Sequence, residues 1–194
     1  MYPAFLQIAR SLAIRCIRTA DNVRGPFYRA GAPFRETRLC LPSEPGVPLT
    51  LSGRVTGLPA CAPLPDAILD VWHASAKGLY SNMLGLGSAQ NPQTFRFRGR
   101  FRTNAAGQYV IETIVPGYYP WPFVRARHIH CIVTCPHYAT LTTQIFFAGD
   151  KRFACDPWVK PELIIPLTEQ TKPDGSVYWR GTFDFVLAPE SNPV

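Results

Sequence analysis

The chain has 194 residues, 46% of them apolar and 17% charged. That balance excludes intrinsic disorder, and the length lets one domain bury a core without metal or disulfide staples. A net charge of +7 leaves two classes of partner open: nucleic acid, or small anions drawn to a basic mouth.

Residues 3–18 read as a short amphipathic helix, with Phe5, Leu6, Ala9, Leu12, Ala13 and Cys16 at three- and four-residue steps. This helical arm, within residues 1–24, would dock on the body of the protein or on a second copy in a homo-oligomer. Gln7, Arg10, Arg15 and Arg18 interrupt the apolar start, so neither a signal peptide nor a membrane span is expected, and the default location is cytoplasmic. Six cysteines (Cys16, Cys40, Cys61, Cys131, Cys135 and Cys155) show no CxxC spacing, and the expectation is buried free thiols.

From Gly25 onward the helical period disappears. Strands are expected at 49–55, 67–72, 95–102, 109–114, 128–135, 142–147, 163–167 and 177–187, all rich in β-branched and aromatic residues with Gly, Pro or Asn between them. The last two are joined through the turn signal Lys172-Pro173-Asp174-Gly175. In the final one, Phe183, Phe185 and Leu187 alternate with Thr182 and Asp184, the pattern of a half-buried strand. Residues 25–194 thus read as an all-β, single-domain sandwich with long loops. Residues 81–95 form a long loop of a kind that often borders a pocket.

Within 95–102, alternation sets Phe95, Phe97 and Phe101 on one face and Arg96, Arg98, Arg100 and Arg102 on the other. Nucleic-acid strips mix aromatics and cations on one face. Here the phenylalanines read as core and the arginines as a solvated or pocket-rim face, so no nucleic-acid partner is expected.

The strongest chemical signal is His128-Ile129-His130 inside an apolar run. On a strand, residues i and i+2 point the same way, about 7 Å apart, and two imidazoles so placed can converge on one metal ion. No acid follows to complete a facial triad or a cupin-type set. A zinc site of three histidines could recruit His137 or His73. Tyr80 and Tyr119 are further candidates, but an isolated tyrosine is usually core, and pattern alone does not select them.

Several elements occur in a fixed order: Gly25-Pro26-Phe27-Tyr28, Leu51-Ser52-Gly53-Arg54-Val55, Asp70-Val71-Trp72-His73-Ala74 with Gly78-Leu79-Tyr80, and Arg98-Gly99-Arg100. They continue with Thr103-Asn104, Pro116-Gly117-Tyr118-Tyr119-Pro120, Arg125 ahead of His128-Ile129-His130, and Leu141-Thr142-Thr143-Gln144. In this order the chain resembles the intradiol ring-cleavage dioxygenases, the family of protocatechuate 3,4-dioxygenase and catechol 1,2-dioxygenase. The resemblance implies a β-sandwich and a mononuclear non-haem iron(III) held by Tyr80, Tyr119, His128 and His130. It further implies that Tyr119 acts as ligand and base in turn, and that Arg125 and Gln144 steady substrate charge. Pro26, Trp72, Trp121 and Arg125 fall near the substrate. The family often writes Arg-Pro-Ala-His where this chain has Arg125-Ala126-Arg127-His128, which adds a cation beside the pocket.

The activity implied is opening of a catechol-type ring by O2 between its two hydroxylated carbons, giving a cis,cis-muconate-type diacid. Catechol, hydroxyquinol, protocatechuate and larger catechols are the candidate substrates, with no membrane partner. The competing classes are a non-catalytic β-sandwich binding module, and a zinc or copper site on the histidine pair alone. Iron content and visible absorption separate them.

Overall fold

The computed structural model describes residues 16–84, 95–119 and 125–190, the side chains of Asn82 and Leu84 apart. Its strands are β1 (Pro48–Gly57), β2 (Ala62–Pro63), β3 (Ile68–His73), β4 (Arg98–Arg102), β5 (Gln108–Ile114) and β6 (His128–Thr134). They continue as β7 (Leu141–Phe147), β8 (Ile164–Ile165), β9 (Thr168–Thr171), β10 (Val177–Thr182) and β11 (Phe185–Leu187). They form two sheets. In one, β1 pairs with β5 and β2 along one side and with β10 and β11 along the other, while β9 lies outside β10. In the other the order is β4-β3-β6-β7-β8.

Alternation along each strand decides what lies between the sheets. Leu69, Val71, Phe101, Ile129, Cys131, Val133 and Ile145 face inward from the second sheet. They meet Leu49, Leu51, Val55, Tyr109, Ile111 and Phe185 of the first, all of them buried. This is the sandwich core, and each large side chain in it contributes about 1.5–3 kcal/mol by leaving water. Odd and even positions exchange roles on the other face of the second sheet. There Arg98, Trp72, His130 and Gln144 stand in register across four neighbouring strands.

The expected β-sandwich is present, with four departures. The strand expected over 177–187 breaks into β10 and β11, because Asp184 turns its carboxylate to the Arg54 N–H and Phe183 N–H bonds the Ser52 carbonyl. Phe95 and Phe97 precede β4 in a turn, and Arg98 is buried, 1% exposed, which rules out the solvated reading for it and leaves the pocket-rim one. The helix expected over 3–18 falls mostly outside the described residues, and residues 16–18 are not helical. Just after them, the Thr19 N–H goes to the Val186 carbonyl and the Asn22 N–H to the Thr142 carbonyl, so the backbone here is committed to the sheets.

The fourth departure concerns the thiols. Cys16 and Cys61 are joined in a disulfide across 45 residues, with Cα atoms 5.7 Å apart. Of the other four cysteines only Cys131 is buried. The expectation of free thiols is therefore overturned at Cys16 and Cys61. Among the described residues no helix is long and apolar enough to cross a membrane.

Candidate metal centre

Two imidazoles come from β6. His128 and His130 point away from the sandwich core, 2% and 1% exposed, with Nε2 atoms 3.0 Å apart. The ladders with β3 and β7 on either side hold this strand, so neither histidine's main chain can move without breaking sheet hydrogen bonds. Nδ1 of His128 lies 2.7 Å from the Ala126 carbonyl and donates to it, which turns the Nε2 lone pair toward the site. His130 is fixed differently: the Trp72 ring stacks flat on it, centroids 4.8 Å apart and planes 2° apart.

Two phenols arrive on loops. Tyr80 follows β3, and Tyr119 follows β5. Their hydroxyls lie 2.7 Å apart, and the Tyr119 hydroxyl is 3.1 Å from His128 Nε2. Four donor atoms thus form one continuous set with spacings of 2.7–3.1 Å. Metal–donor bonds of about 2 Å at right angles place neighbouring donors about 2.9 Å apart, so the set has the dimensions of a single coordination sphere.

The electrostatics fit the same group. Burial, reinforced by the Tyr80 phenol's proximity to Tyr119, holds Tyr80 well above the ordinary phenol range, and burial pushes Tyr119 up to about 12. Burial and then the Arg125 charge push His128 down to about 3, and burial with His128 beside it lowers His130 well below its ordinary value. Left to themselves the phenols stay protonated and the imidazoles neutral. Neutral imidazoles are ready to bind metal, and phenols in a dry pocket ionise when a cation supplies the field. Phenolate is a hard anionic donor, which favours a trivalent ion such as iron(III). Nδ1 of His130 is buried with no partner among the described residues.

Around the donors, Arg125 and Gln144 meet. Arg125 donates to the Gln144 side-chain oxygen at 2.7 Å, and Gln144 donates to the Val23 carbonyl at 2.7 Å. Arg125 also donates through Nε to Asp156 at 2.8 Å, a carboxylate with no exposed surface. Its guanidinium stands 5.8 Å from the Tyr119 ring centre. Arg98 occupies the corresponding place by Tyr80, 5.6 Å from its ring centre. Segment 16–28 closes the site from outside: Phe27 stacks on Tyr80 at 4.6 Å, and Tyr28 packs edge-on against Trp72 at 4.9 Å.

Of the sequence-derived residues, Tyr80, Tyr119, His128, His130, Arg125, Gln144 and Trp72 come together. Pro26 sits exposed on the covering segment, and Trp121 lies outside the described residues. Asp156, Arg98 and Phe27 carry no distinguishing signal as single residues, although Phe27 and Arg98 stand inside the ordered motifs. The three-histidine zinc site is not formed. His73 faces the opposite way, bonded to Thr113 and the Ala74 carbonyl. His137 is exposed at the far end of β6, and no group of three His, Cys, Asp or Glu gathers among the described residues.

A family model described as dioxygenase matches residues 23–189. The chain belongs to the intradiol ring-cleavage dioxygenases. It is 34% identical over 149 residues to catechol 1,2-dioxygenase 2 of Acinetobacter lwoffii, covering 68% of this chain and 52% of that protein. It is 34% identical over 187 residues to 6-chlorohydroxyquinol 1,2-dioxygenase of Cupriavidus pinatubonensis, covering 88% and 65%. Among solved structures, the dioxygenase domain of a dioxygenase carbohydrate-binding protein fusion from Streptomyces sp. SirexAA-E is 38% identical. Its TM-score is 0.75, over 90% of this chain and 100% of that one. Catechol 1,2-dioxygenase from Acinetobacter sp. ADP1 aligns at a TM-score of 0.79 and 30% identity, over 90% and 64%. This intradiol family member spans about half the length of the Acinetobacter lwoffii proteins it matches.

Proposed function

We propose that the chain is a non-haem iron(III) intradiol dioxygenase that opens a catechol-type ring with O2 between the two hydroxylated carbons, yielding a cis,cis-muconate-type diacid. The observation that carries this is the gathering of the Tyr80, Tyr119, His128 and His130 donor atoms, each 2.7–3.1 Å from the next in that order. A ferric ion held by these four side chains would supply a Lewis acid and an electron-accepting centre. The protein's part is to bind, orient and move protons. Tyr119 sits beside Arg125 and takes a catechol proton on its phenolate oxygen, while Tyr80, stacked under Phe27, stays in place. Arg125 presents positive charge where the ring oxygen gains negative charge. Gln144 acts through Arg125, since both ends of its amide are already engaged. Phe27 and Trp72, one over Tyr80 and one against His130, limit water at the donors.

Oxygen uptake across a panel of substituted catechols, with mass analysis of the product, tests the activity. A ring-opened diacid retaining every ring carbon and both atoms of one O2 supports it. Cleavage beside the hydroxylated pair, or no uptake with iron-loaded protein, refutes it.

A further inference from the structure

Tyr119 stands on a loop, yet its main chain is gripped from two directions. On one side lies the turn that leads to Tyr80. Gly117 N–H donates to the Ser75 carbonyl at 2.9 Å. A Cβ on Gly117 would fall 2.1 Å from the Ala76 carbonyl oxygen, and one on Gly78 would fall 1.7 Å from that of Tyr118. The two tyrosine-bearing loops therefore meet backbone to backbone, with no room for a side chain between them.

On the other side stand two arginines. The Tyr118 ring carries the guanidinium of Arg127 at 4.4 Å and that of Arg152 at 4.2 Å from its centre. Arg152 also donates through Nη1 to the Tyr119 carbonyl at 3.2 Å. Two like charges on one ring repel, and the Asp150 carboxylate ties together the main chains that carry them. It accepts the backbone N–H of Arg127 at 2.8 Å and that of Arg152 at 2.8 Å. All three side chains are only half-buried, so hydrophobic burial does not account for the stack, whereas ring-face attraction to cations does.

We propose that Tyr118, Arg127 and Arg152 are positioning residues: a cation–ring clamp that fixes the main chain of Tyr119, so that its phenol moves by side-chain rotation about a fixed pivot. This consequence for turnover rests on the functional reading above, whereas the clamp itself does not. A phenol that serves as ligand and then as base must return to the same place in each cycle, and a drifting main chain would spoil both tasks.

The test compares Tyr118→Leu, Tyr118→Phe and Arg152→Met with the parent protein. In metal-free protein, amide exchange at residues 117–119 should speed up about tenfold or more in Tyr118→Leu and Arg152→Met, and stay at the parent rate in Tyr118→Phe, which keeps the ring. In iron-loaded protein the same two variants should shift the tyrosinate-to-iron absorption and lower kcat about tenfold, with KM changed less. Exchange and absorption like the parent's in both variants would overturn the clamp. So would a Tyr118→Phe as impaired as Tyr118→Leu. If Tyr118→Leu does not fold, Arg152→Met against Tyr118→Phe carries the same comparison. If the iron-loaded parent turns over no catechol, the functional reading fails, and the exchange result alone decides the clamp.

Discussion

The two imidazoles and the two phenols reach one point by opposite routes. His128 and His130 stand on a strand bonded on both flanks, and their spacing follows from the pleat alone. Tyr80 and Tyr119 stand on loops, 39 residues apart in the chain, and only packed backbone, stacked rings and arginines bring their hydroxyls to 2.7 Å. The comparison teaches that half of this centre is a property of secondary structure and half of tertiary packing. The strand half is rigid by default. The loop half needs its own fastenings, and a donor that must both bind and release is better placed there.

The largest expected effect comes from removing a donor of either kind. His130→Ala and Tyr80→Phe should each drop bound iron to background, beyond the roughly 10–100-fold that losing an outer partner costs in metal affinity. Metal analysis and the visible spectrum read this. If Tyr80→Phe kept full iron while His130→Ala lost it, the loop half would be no part of the centre.

Next comes the group that touches neither half as a ligand. Arg125→Ala should keep iron and colour yet lose turnover by about 100-fold, near 3 kcal/mol for one positioned charge. Normal turnover in that variant would remove Arg125 from the chemistry.

A third test uses the other face of β3. Burial pushes His73 down to about 4 from its ordinary 6.5. As pH falls below 6.5 the unfolded chain takes up a proton that folded His73 accepts only near 4. Stability from this group is therefore present above that window and lost across it, to about 3 kcal/mol in all. His128 and His130 are lowered too and act in the same direction. Denaturant unfolding of iron-free protein between pH 7 and pH 4 should show the decline, and a flat profile would contradict the burial.

The smallest effect is expected at the cover. Gly25 has φ +72, and a Cβ there would lie 3.2 Å from Cε1 of His130. Gly25→Ala should cost about 1 kcal/mol of stability while leaving the phenols in place. A broadened iron spectrum without loss of metal would show that the cover also steadies the strand half.

The same division explains what is legible in the sequence. Strands with two-residue alternation, such as β1, β3, β5, β6 and β7, stand out because one face is apolar. β9 (Thr168–Thr171) is exposed along its whole length and offers no such pattern. The histidine pair is visible as chemistry from spacing alone. Tyr80 and Tyr119 are selected only by their resemblance to a family, because nothing local marks a loop phenol as a ligand. Asp156 is invisible for a related reason: it acts through a contact with Arg125 made 31 residues away. Arg98 reads as either solvated or pocket-rim because alternation reveals which face a residue is on, not what covers that face. The Cys16–Cys61 bond escapes because two cysteines 45 residues apart carry no spacing signature.

One measurement tests the central claim most directly: the metal content and visible spectrum of protein purified from iron-replete cells. Iron at one atom per chain, with a broad tyrosinate-to-iron band that vanishes on chelation, is the predicted result. Colourless protein without iron, or zinc bound with both phenols still protonated, would contradict it.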